Sequence, residues 1–169
     1  MINVIKMNSK FGLRLLFLII MLLTLSACKK NDEVKVAVSK WTIGNSSMSD
    51  KTYTSTSAKW ITPSQSSYKL YEFKAKEKES QAYISFVFKT KPTTSGLHPI
   101  FIGNWSNDLT SSQVGVELFN GTDIWYHAHP GGIVDVTIEK GKTTITFSKI
   151  RAYKDAVNFV NVEGKLVEN

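Results

Sequence analysis

Short segments in which apolar and polar residues alternate recur through the chain after residue 34, and this feature constrains the fold most strongly. In one of them Ile84, Phe86 and Phe88 fall on one side, whereas Ser85 and Lys89 fall on the other. A period of two residues is that of a β-strand with one buried face. No segment after residue 34 repeats apolar residues at helical spacing over more than two turns. The pattern therefore predicts an all-β domain.

Residues typical of turns separate the alternating segments, which also include 34–39, 114–118, 134–139, 142–148 and 160–167. Asn120-Gly121 predicts a two-residue type I′ hairpin turn, because both central residues of that turn need positive φ. Lys140-Gly141 and Pro130-Gly131-Gly132 indicate two further turns. About eight to ten strands at such spacing predict a single antiparallel β-sandwich or a closed barrel. The periodicity is the same for both architectures.

Three polar segments interrupt the alternation. Residues 45–67 are rich in Ser and Thr and are predicted to form either two exposed edge strands or a long loop. Residues 90–96 and 104–113 are predicted to be loops, since they are mostly polar and lack a β-pattern. The chain has 169 residues and no evident internal repeat, so one folded domain is expected.

The first residues of the chain have the composition of an export signal. Lys6, Lys10 and Arg14 come before any acidic residue, and an apolar run from Leu15 to Leu23 follows them. This run is too short to span a bilayer, which needs roughly 20 apolar residues. A basic segment followed by a short apolar segment is typical of a signal peptide.

The apolar run is followed by Leu25-Ser26-Ala27-Cys28, and Cys28 is the only cysteine of the chain. These four residues resemble the lipobox of bacterial lipoproteins, in which the cysteine thiol is lipidated and becomes the first residue of the mature chain. The alternatives are a plain secretory peptide with an incidental cysteine and an uncleaved anchor helix. The resemblance implies a cleaved signal peptide over residues 1–27 and acyl chains, such as palmitate, that hold Cys28 at a membrane.

The lipoprotein resemblance also divides the rest of the chain. It implies a lipidated cysteine and polar tether over residues 28–33, and a β-domain over residues 34–169. Lys29 follows the cysteine, where the inner-membrane retention signal of enterobacterial lipoproteins has aspartate. Charged residues at this place resemble the surface-export signals of Bacteroidota lipoproteins. The expected location is therefore the cell envelope, with the outer membrane or the cell surface preferred.

The net charge changes when the signal peptide is removed. The whole chain has a formal charge of +7, but Lys6, Lys10 and Arg14 belong to residues 1–27. Their loss leaves 18 of the 21 basic residues against 14 acidic ones, a net charge of about +4. Acidic residues are scattered among the remaining lysines, whereas a nucleic-acid-binding protein concentrates its basic side chains on one face. We therefore expect no nucleic-acid partner.

A second resemblance lies in the C-terminal part of the chain. The pattern from Val134 to Phe147, followed by Val160 to Leu166, is similar to the end of small, uncharacterised, lipocalin-like β-rich lipoproteins of Bacteroidota. Those domains close with a hairpin, a Thr-Phe strand and a final strand. The resemblance implies a lipocalin-like barrel as one form of the β-fold, and it implies nothing about activity.

Three histidines are candidate metal ligands. His127 and His129 lie two residues apart in the predicted strand 124–129, so their side chains project from one face. With His98 as a third ligand, and Asp123 or Asp135 as a carboxylate, they would form a zinc or copper site. The alternative is that all three are surface or loop histidines without a metal. No other cofactor is expected.

Tryptophans are candidate ligand-binding residues. Trp105 lies in the polar run 103–108, a predicted loop, where an exposed indole would make a platform for a sugar ring. Trp125 shares its predicted strand face with the two paired histidines. The alternative for Trp41 and Trp125 is packing in the core, which is common in small β-domains.

Catalytic motifs are absent from the sequence. The lipobox resemblance implies that Cys28 is lipidated and so is no nucleophile, and neither a Gly-x-Ser-x-Gly elbow nor a phosphate-binding glycine loop occurs. Glu117 and Asp123 lie on adjacent predicted strands, and Glu139 and Glu163 lie in or beside others. Glutamates that alternate with apolar residues usually face solvent, so a carboxylate pair is not expected to form a hydrolase site.

These observations predict a membrane-anchored, non-enzymatic lipoprotein. Its β-domain would be presented outside the cytoplasm to a protein or glycan partner. A metal-binding β-domain is the alternative, and a small hydrolase is a third hypothesis.

Overall fold

Eleven β-strands and a single-turn helix make up the regular structure of residues 36–45, 48–126 and 131–169, the part of the chain that the computed structural model describes. These elements are β1 (Ser39–Asn45), β2 (Met48–Ser55), β3 (Lys59–Ile61), β4 (Tyr71–Lys76), β5 (Tyr83–Phe88), β6 (Gly96–Pro99), α1 (Trp105–Asp108), β7 (Val114–Phe119), β8 (Ile124–Trp125), β9 (Ile133–Glu139), β10 (Lys142–Tyr153) and β11 (Phe159–Val167). The prediction of an all-β domain is confirmed.

The strands form two antiparallel sheets that do not close into a barrel. The six-stranded sheet has the order β2-β1-β11-β10-β9-β6, and the five-stranded sheet has the order β3-β4-β5-β7-β8. Isolated backbone bridges at Ile100–Val114 and Tyr126–Tyr153 connect chain segments of the two sheets. Of the two predicted architectures, the structure is consistent with the β-sandwich.

The predicted alternation supplies the core. Ile84, Phe86 and Phe88 of β5 are all buried, as are the alternating apolar residues of β7 and most of those of β9 and β10. The rings of Phe86 and Phe147 lie 5.0 Å apart and join the two sheets. Burying side chains of this size stabilises the fold by about 1.5–3 kcal/mol each.

Two hairpin predictions have different outcomes. Lys140 and Gly141 have φ values of 51° and 77°, and Glu139 pairs with Lys142, so this turn is a two-residue hairpin with positive φ at both positions. The type I′ prediction for Asn120-Gly121 is wrong, because only Gly121 has positive φ. Asn120 Oδ1 instead accepts hydrogen bonds from the backbone N–H groups of Thr122 and Asp123, at 2.9 and 2.7 Å, at the end of a longer loop.

The polar segment 45–67 contains two edge strands, which confirms the first of its two predicted forms. Strand β2 is an edge of the six-stranded sheet and β3 is an edge of the five-stranded sheet. At the start of the domain, β1 begins at Ser39, five residues after the start of the predicted alternating segment 34–39. Within the described residues, no helix has the length and apolarity that a membrane crossing requires.

The five-stranded sheet is covered on both faces near its centre. Strand β5 is buried from Ile84 to Phe88 and β7 is buried from Val114 to Leu118, with no alternation of exposure. One face packs in the core, and the opposite face, here called the outer face, carries buried polar residues. This outer face holds the candidate site.

Candidate functional site

A buried carboxyl group lies at the centre of the outer face. Glu117 of β7 pairs in register with Ser85 of β5 and is only 9% exposed. The hydroxyl of Tyr83 donates a hydrogen bond to Glu117 Oε1 at 2.6 Å, and the hydroxyl of Tyr68 donates a short one to Oε2. Burial raises the pKa of Glu117 to about 6, because removal from water disfavours the charged form. Glu117 therefore does not face solvent in the way that its alternating sequence context predicted.

A second buried carboxylate lies two strands away from Glu117, and this one is paired with a lysine side chain. Glu72 of β4 accepts hydrogen bonds from the hydroxyl of Ser85 at 2.6 Å and from Lys74 Nζ at 3.1 Å. The same ammonium group lies 3.7 Å from the centre of the Tyr83 ring, a cation–π contact. Burial, together with the charge of Glu72, raises the pKa of Tyr83. The described part of the chain places no such cation at Glu117, whose neighbours are tyrosine hydroxyls.

Trp105 lies against the outer face beside Glu117. It is the first residue of α1, and Asn104 caps this turn by accepting the Ser106 N–H at 3.0 Å. The indole lies over Gly115, where an added Cβ would be 2.7 Å from Trp105 Cε2. Glycine at this position of β7 is therefore what lets the ring approach the sheet. The ring also contacts Tyr68 edge to face, with centroids 5.0 Å apart.

These residues line a cavity of about 310 Å³, here called the Glu117 pocket. Its lining consists of three aromatic side chains, one carboxyl group and a short polar segment: Tyr68, Gly103, Asn104, Trp105, Ser106, Glu117 and Tyr126. Tyr126 is 40% exposed at the rim, whereas Trp105 and Tyr68 are half-buried. The volume is at the lower end of the range of small-ligand pockets, about 300–1,000 Å³. The pocket can therefore hold one ring or one head group of a ligand.

The structure separates the two predicted tryptophans. Trp105 lies on the outer face and lines the pocket, in the polar segment where the sequence predicted it. Trp125 is 5% exposed and belongs to the core cluster, in register with buried Leu118. Trp125 therefore occupies the packing position that was its alternative interpretation, and the Glu117 pocket does not include it.

The histidine prediction falls partly outside the described residues. His127 and His129 are not among the described residues, so the predicted three-histidine metal site stays a prediction. His98 packs edge to face on Phe88, with centroids 5.4 Å apart, and burial lowers its pKa more than its hydrogen bond with the Ser112 backbone raises it. Among the residues that the structure describes, no group of three His, Cys, Asp or Glu could hold a metal ion.

The two carboxylates considered as metal ligands have other surroundings. Asp123 accepts a 2.6 Å hydrogen bond from Lys154 Nζ at the surface, and Asp135 is exposed on β9. Glu139 and Glu163 are exposed as well, as predicted for glutamates in alternating strands. Cys28, the predicted lipidation site, lies outside the described residues.

Two larger cavities have a different character. One, of about 520 Å³, lies between the end of β2 and the β4–β5 hairpin and is lined by Ser, Thr, Lys, Glu and Gln. The other, of about 460 Å³, lies on the six-stranded sheet, where Lys149 and Arg151 are accompanied by Asp50 and Glu163. Neither cavity has an aromatic lining, so the Glu117 pocket has the more specific chemistry.

Sequence reasoning missed most of the Glu117 pocket. Tyr68 comes just after the segment 45–67 and was given no role in the predictions, yet its hydroxyl reaches Glu117 across 49 positions of sequence. Tyr126 falls in the predicted strand 124–129, and nothing in the sequence placed it beside Trp105. The available signal was Gly115, a glycine between Val114 and Val116 of a strongly predicted strand, since such a glycine indicates close approach of another group.

The fold and the site define this protein as a β-sandwich with an aromatic-lined carboxyl pocket on one sheet. A scan against protein-family models gave no match, and searches of curated proteins and of solved structures gave none either.

Proposed function

We propose that this protein is a membrane-anchored, non-enzymatic bacterial lipoprotein that uses the Glu117 pocket to bind a protein or glycan partner outside the cytoplasm. The observation that carries the binding proposal is the half-buried Trp105 beside Glu117 in a cavity of about 310 Å³. The anchor proposal rests on the Leu25-Ser26-Ala27-Cys28 motif after a basic and apolar segment.

A glycan suits the lining of this pocket. Aromatic rings such as Trp105, Tyr68 and Tyr126 offer apolar faces for the C–H groups of a sugar. Asn104 and Ser106, both exposed, can hydrogen-bond hydroxyl groups at the same rim. Each oxygen of Glu117 accepts one tyrosine hydrogen bond, and a carboxylate oxygen can accept a second donor.

Binding is favoured over catalysis by the state of the two buried carboxyl groups. Glu72 is held by Lys74 and Ser85, and Glu117 is held by two tyrosines. Such fixed hydrogen bonds orient the groups as recognition elements. The sequence adds no nucleophile motif beside them.

Calorimetric titration with a glycan panel tests the binding proposal. A glycan that binds the unmodified protein should bind Trp105→Ala more weakly by about tenfold or more, because one large ring face is lost. Trp105→Phe is the matched variant, since it keeps a smaller ring and should retain part of the affinity. Unchanged affinity in Trp105→Ala would remove this pocket as the binding site.

Fractionation of cells tests the anchor. Cys28→Ala should move the protein out of the membrane fraction and abolish incorporation of labelled palmitate, because the thiol is the acceptor of the lipid. Retention of Cys28→Ala in the membrane fraction, or labelling of that variant, would show that the anchor proposal is wrong.

A further inference from the structure

The charge of Glu117 is uncompensated among the described residues. Glu117 is about nine-tenths buried, and its pKa of about 6 leaves it mostly ionised at neutral pH. The groups that face it are the hydroxyls of Tyr68 and Tyr83 and the register neighbour Ser85. Buried charges in proteins are normally paired with an opposite charge.

The nearby lysine is committed to the other carboxylate. Lys74 Nζ contacts Glu72 at 3.1 Å and lies 3.7 Å from the centre of the Tyr83 ring. The described ion pairs are Lys74–Glu72 and Lys154–Asp123, and neither includes Glu117. The side of Glu117 that adjoins the pocket is therefore where a further cation has room.

The pocket walls suit a soft organic cation. Tyr68, Trp105 and Tyr126 bring three aromatic rings to one small cavity with the carboxyl group. Aromatic faces attract ammonium groups through the ring quadrupole, and such rings together with a carboxylate recognise alkylammonium ligands. A strongly hydrated metal ion would lose its water ligands in such a lining without gaining enough oxygen ligands.

We propose that the Glu117 pocket binds an alkylammonium group, either a protonated amine or a quaternary ammonium, with Glu117 as its counter-ion and the three rings as its cage. This inference rests on the proposed binding function and specifies the chemistry of the ligand. A glycan partner would then carry a free amine at the group that enters the pocket. A neutral sugar could hydrogen-bond to Glu117, but it would leave the buried charge uncompensated.

Two small probes of nearly equal shape test the charge requirement. Choline carries a permanent positive charge, and 3,3-dimethyl-1-butanol is its neutral carbon analogue. In calorimetric titrations of the full chain near pH 7.5, choline should bind at least about tenfold more tightly than the neutral analogue. This comparison uses the unmodified protein, so it does not depend on the folding of any variant.

Glu117→Gln then tests which group supplies the selectivity. The variant keeps the shape of the side chain and removes its charge, so it should weaken choline binding by about tenfold and leave the neutral analogue within about twofold. The matched control is Glu139→Gln at the exposed end of β9, which should change neither affinity. Lowering the pH to about 5 should weaken choline binding to the unmodified chain, because Glu117 becomes protonated while choline keeps its charge.

The outcomes separate this inference from the proposed function. Equal affinities for the two probes, no choline binding up to about 10 mM, or full choline affinity in Glu117→Gln would each overturn the ammonium site. If a neutral glycan then bound in a Trp105-dependent way, the binding function would stand and only the ligand chemistry would be wrong. If glycosides with an aminoalkyl group, which is protonated at about pH 7.5, bind and their N-acetylated counterparts do not, both proposals are supported.

Discussion

Replacing Glu117 with glutamine should stabilise the fold at neutral pH but not at acidic pH. The pKa of this carboxyl group is about 6 in the folded chain, against an ordinary value of 4.5. Between these two pH values the folded chain keeps a proton that the unfolded chain releases, so the free energy of unfolding falls as the pH rises. The loss of stability caused by burying the ionised carboxylate is therefore absent below pH 4.5 and complete above pH 6.

The pKa difference sets the size of the effect. A raised pKa of this extent corresponds to a cost of about 2 kcal/mol for the ionised form. Water in the adjoining pocket screens part of this cost, so we expect about 1–2 kcal/mol. Glutamine carries no charge, and the hydroxyls of Tyr68 and Tyr83 can donate to its carbonyl or accept from its amide. Because glutamine does not titrate, its hydrogen bonds contribute the same amount to the stability of the variant at both pH values.

Urea denaturation of the full chain at about pH 4 and about pH 7.5, followed by tryptophan emission, measures the effect. The stability of Glu117→Gln relative to the unmodified chain should be higher by about 1–2 kcal/mol at the higher pH than at the lower. Glu139→Gln serves as the exposed control. The reasoning is refuted if the relative stability of Glu117→Gln is the same at both pH values, or if it is lower at the higher pH.

Two further predictions concern the packing on the two faces of the five-stranded sheet. Gly115→Ala should displace the Trp105 ring and weaken ligand binding while lowering stability by about 1–3 kcal/mol, since its Cβ would lie 2.7 Å from the indole; thermal unfolding and titration check this. Gly96→Ala is the control, because its Cβ meets nothing within 4 Å, and an equal loss in both variants would contradict the reasoning. Phe86→Ala should lower the free energy of unfolding by about 3–5 kcal/mol, because the ring packs on Phe147 between the sheets; a loss below about 1 kcal/mol in urea denaturation would argue against that packing.

The fold class was readable because it depends on local periodicity. Residues such as Val134 and Val136 alternate with polar neighbours, and a period of two residues leaves one face of a strand to be buried. The Lys140-Gly141 hairpin was readable for the same reason, since its turn chemistry lies within two residues. Asn120 was misread because its side chain could take over the hydrogen bonds of the turn, an alternative that composition does not distinguish.

The candidate site was only partly readable. Trp105 was predicted as a candidate ligand-binding residue from its polar surroundings, and it lines the Glu117 pocket. Its partner Tyr68 was not predicted, because nothing in the sequence indicates which segment packs against Trp105. The sequence predicted Trp125 on a ligand-binding face, because no local feature of a short strand shows which face of the sheet its aromatic residue occupies. Its pairing with Leu118 decides that it points into the core.

The sequence by itself determined the all-β class of the fold, and it carries the motif at Cys28 on which the anchor proposal rests. Only the tertiary structure decided that the two sheets stay open as a sandwich and that Glu117 is buried. Alternation marks Glu117 as a residue on the face opposite the core, and such a residue is normally solvated. It is removed from water because Tyr68 and Trp105, which come from segments far apart in the sequence, meet over β7. Contacts between distant segments leave no periodic trace in a single sequence.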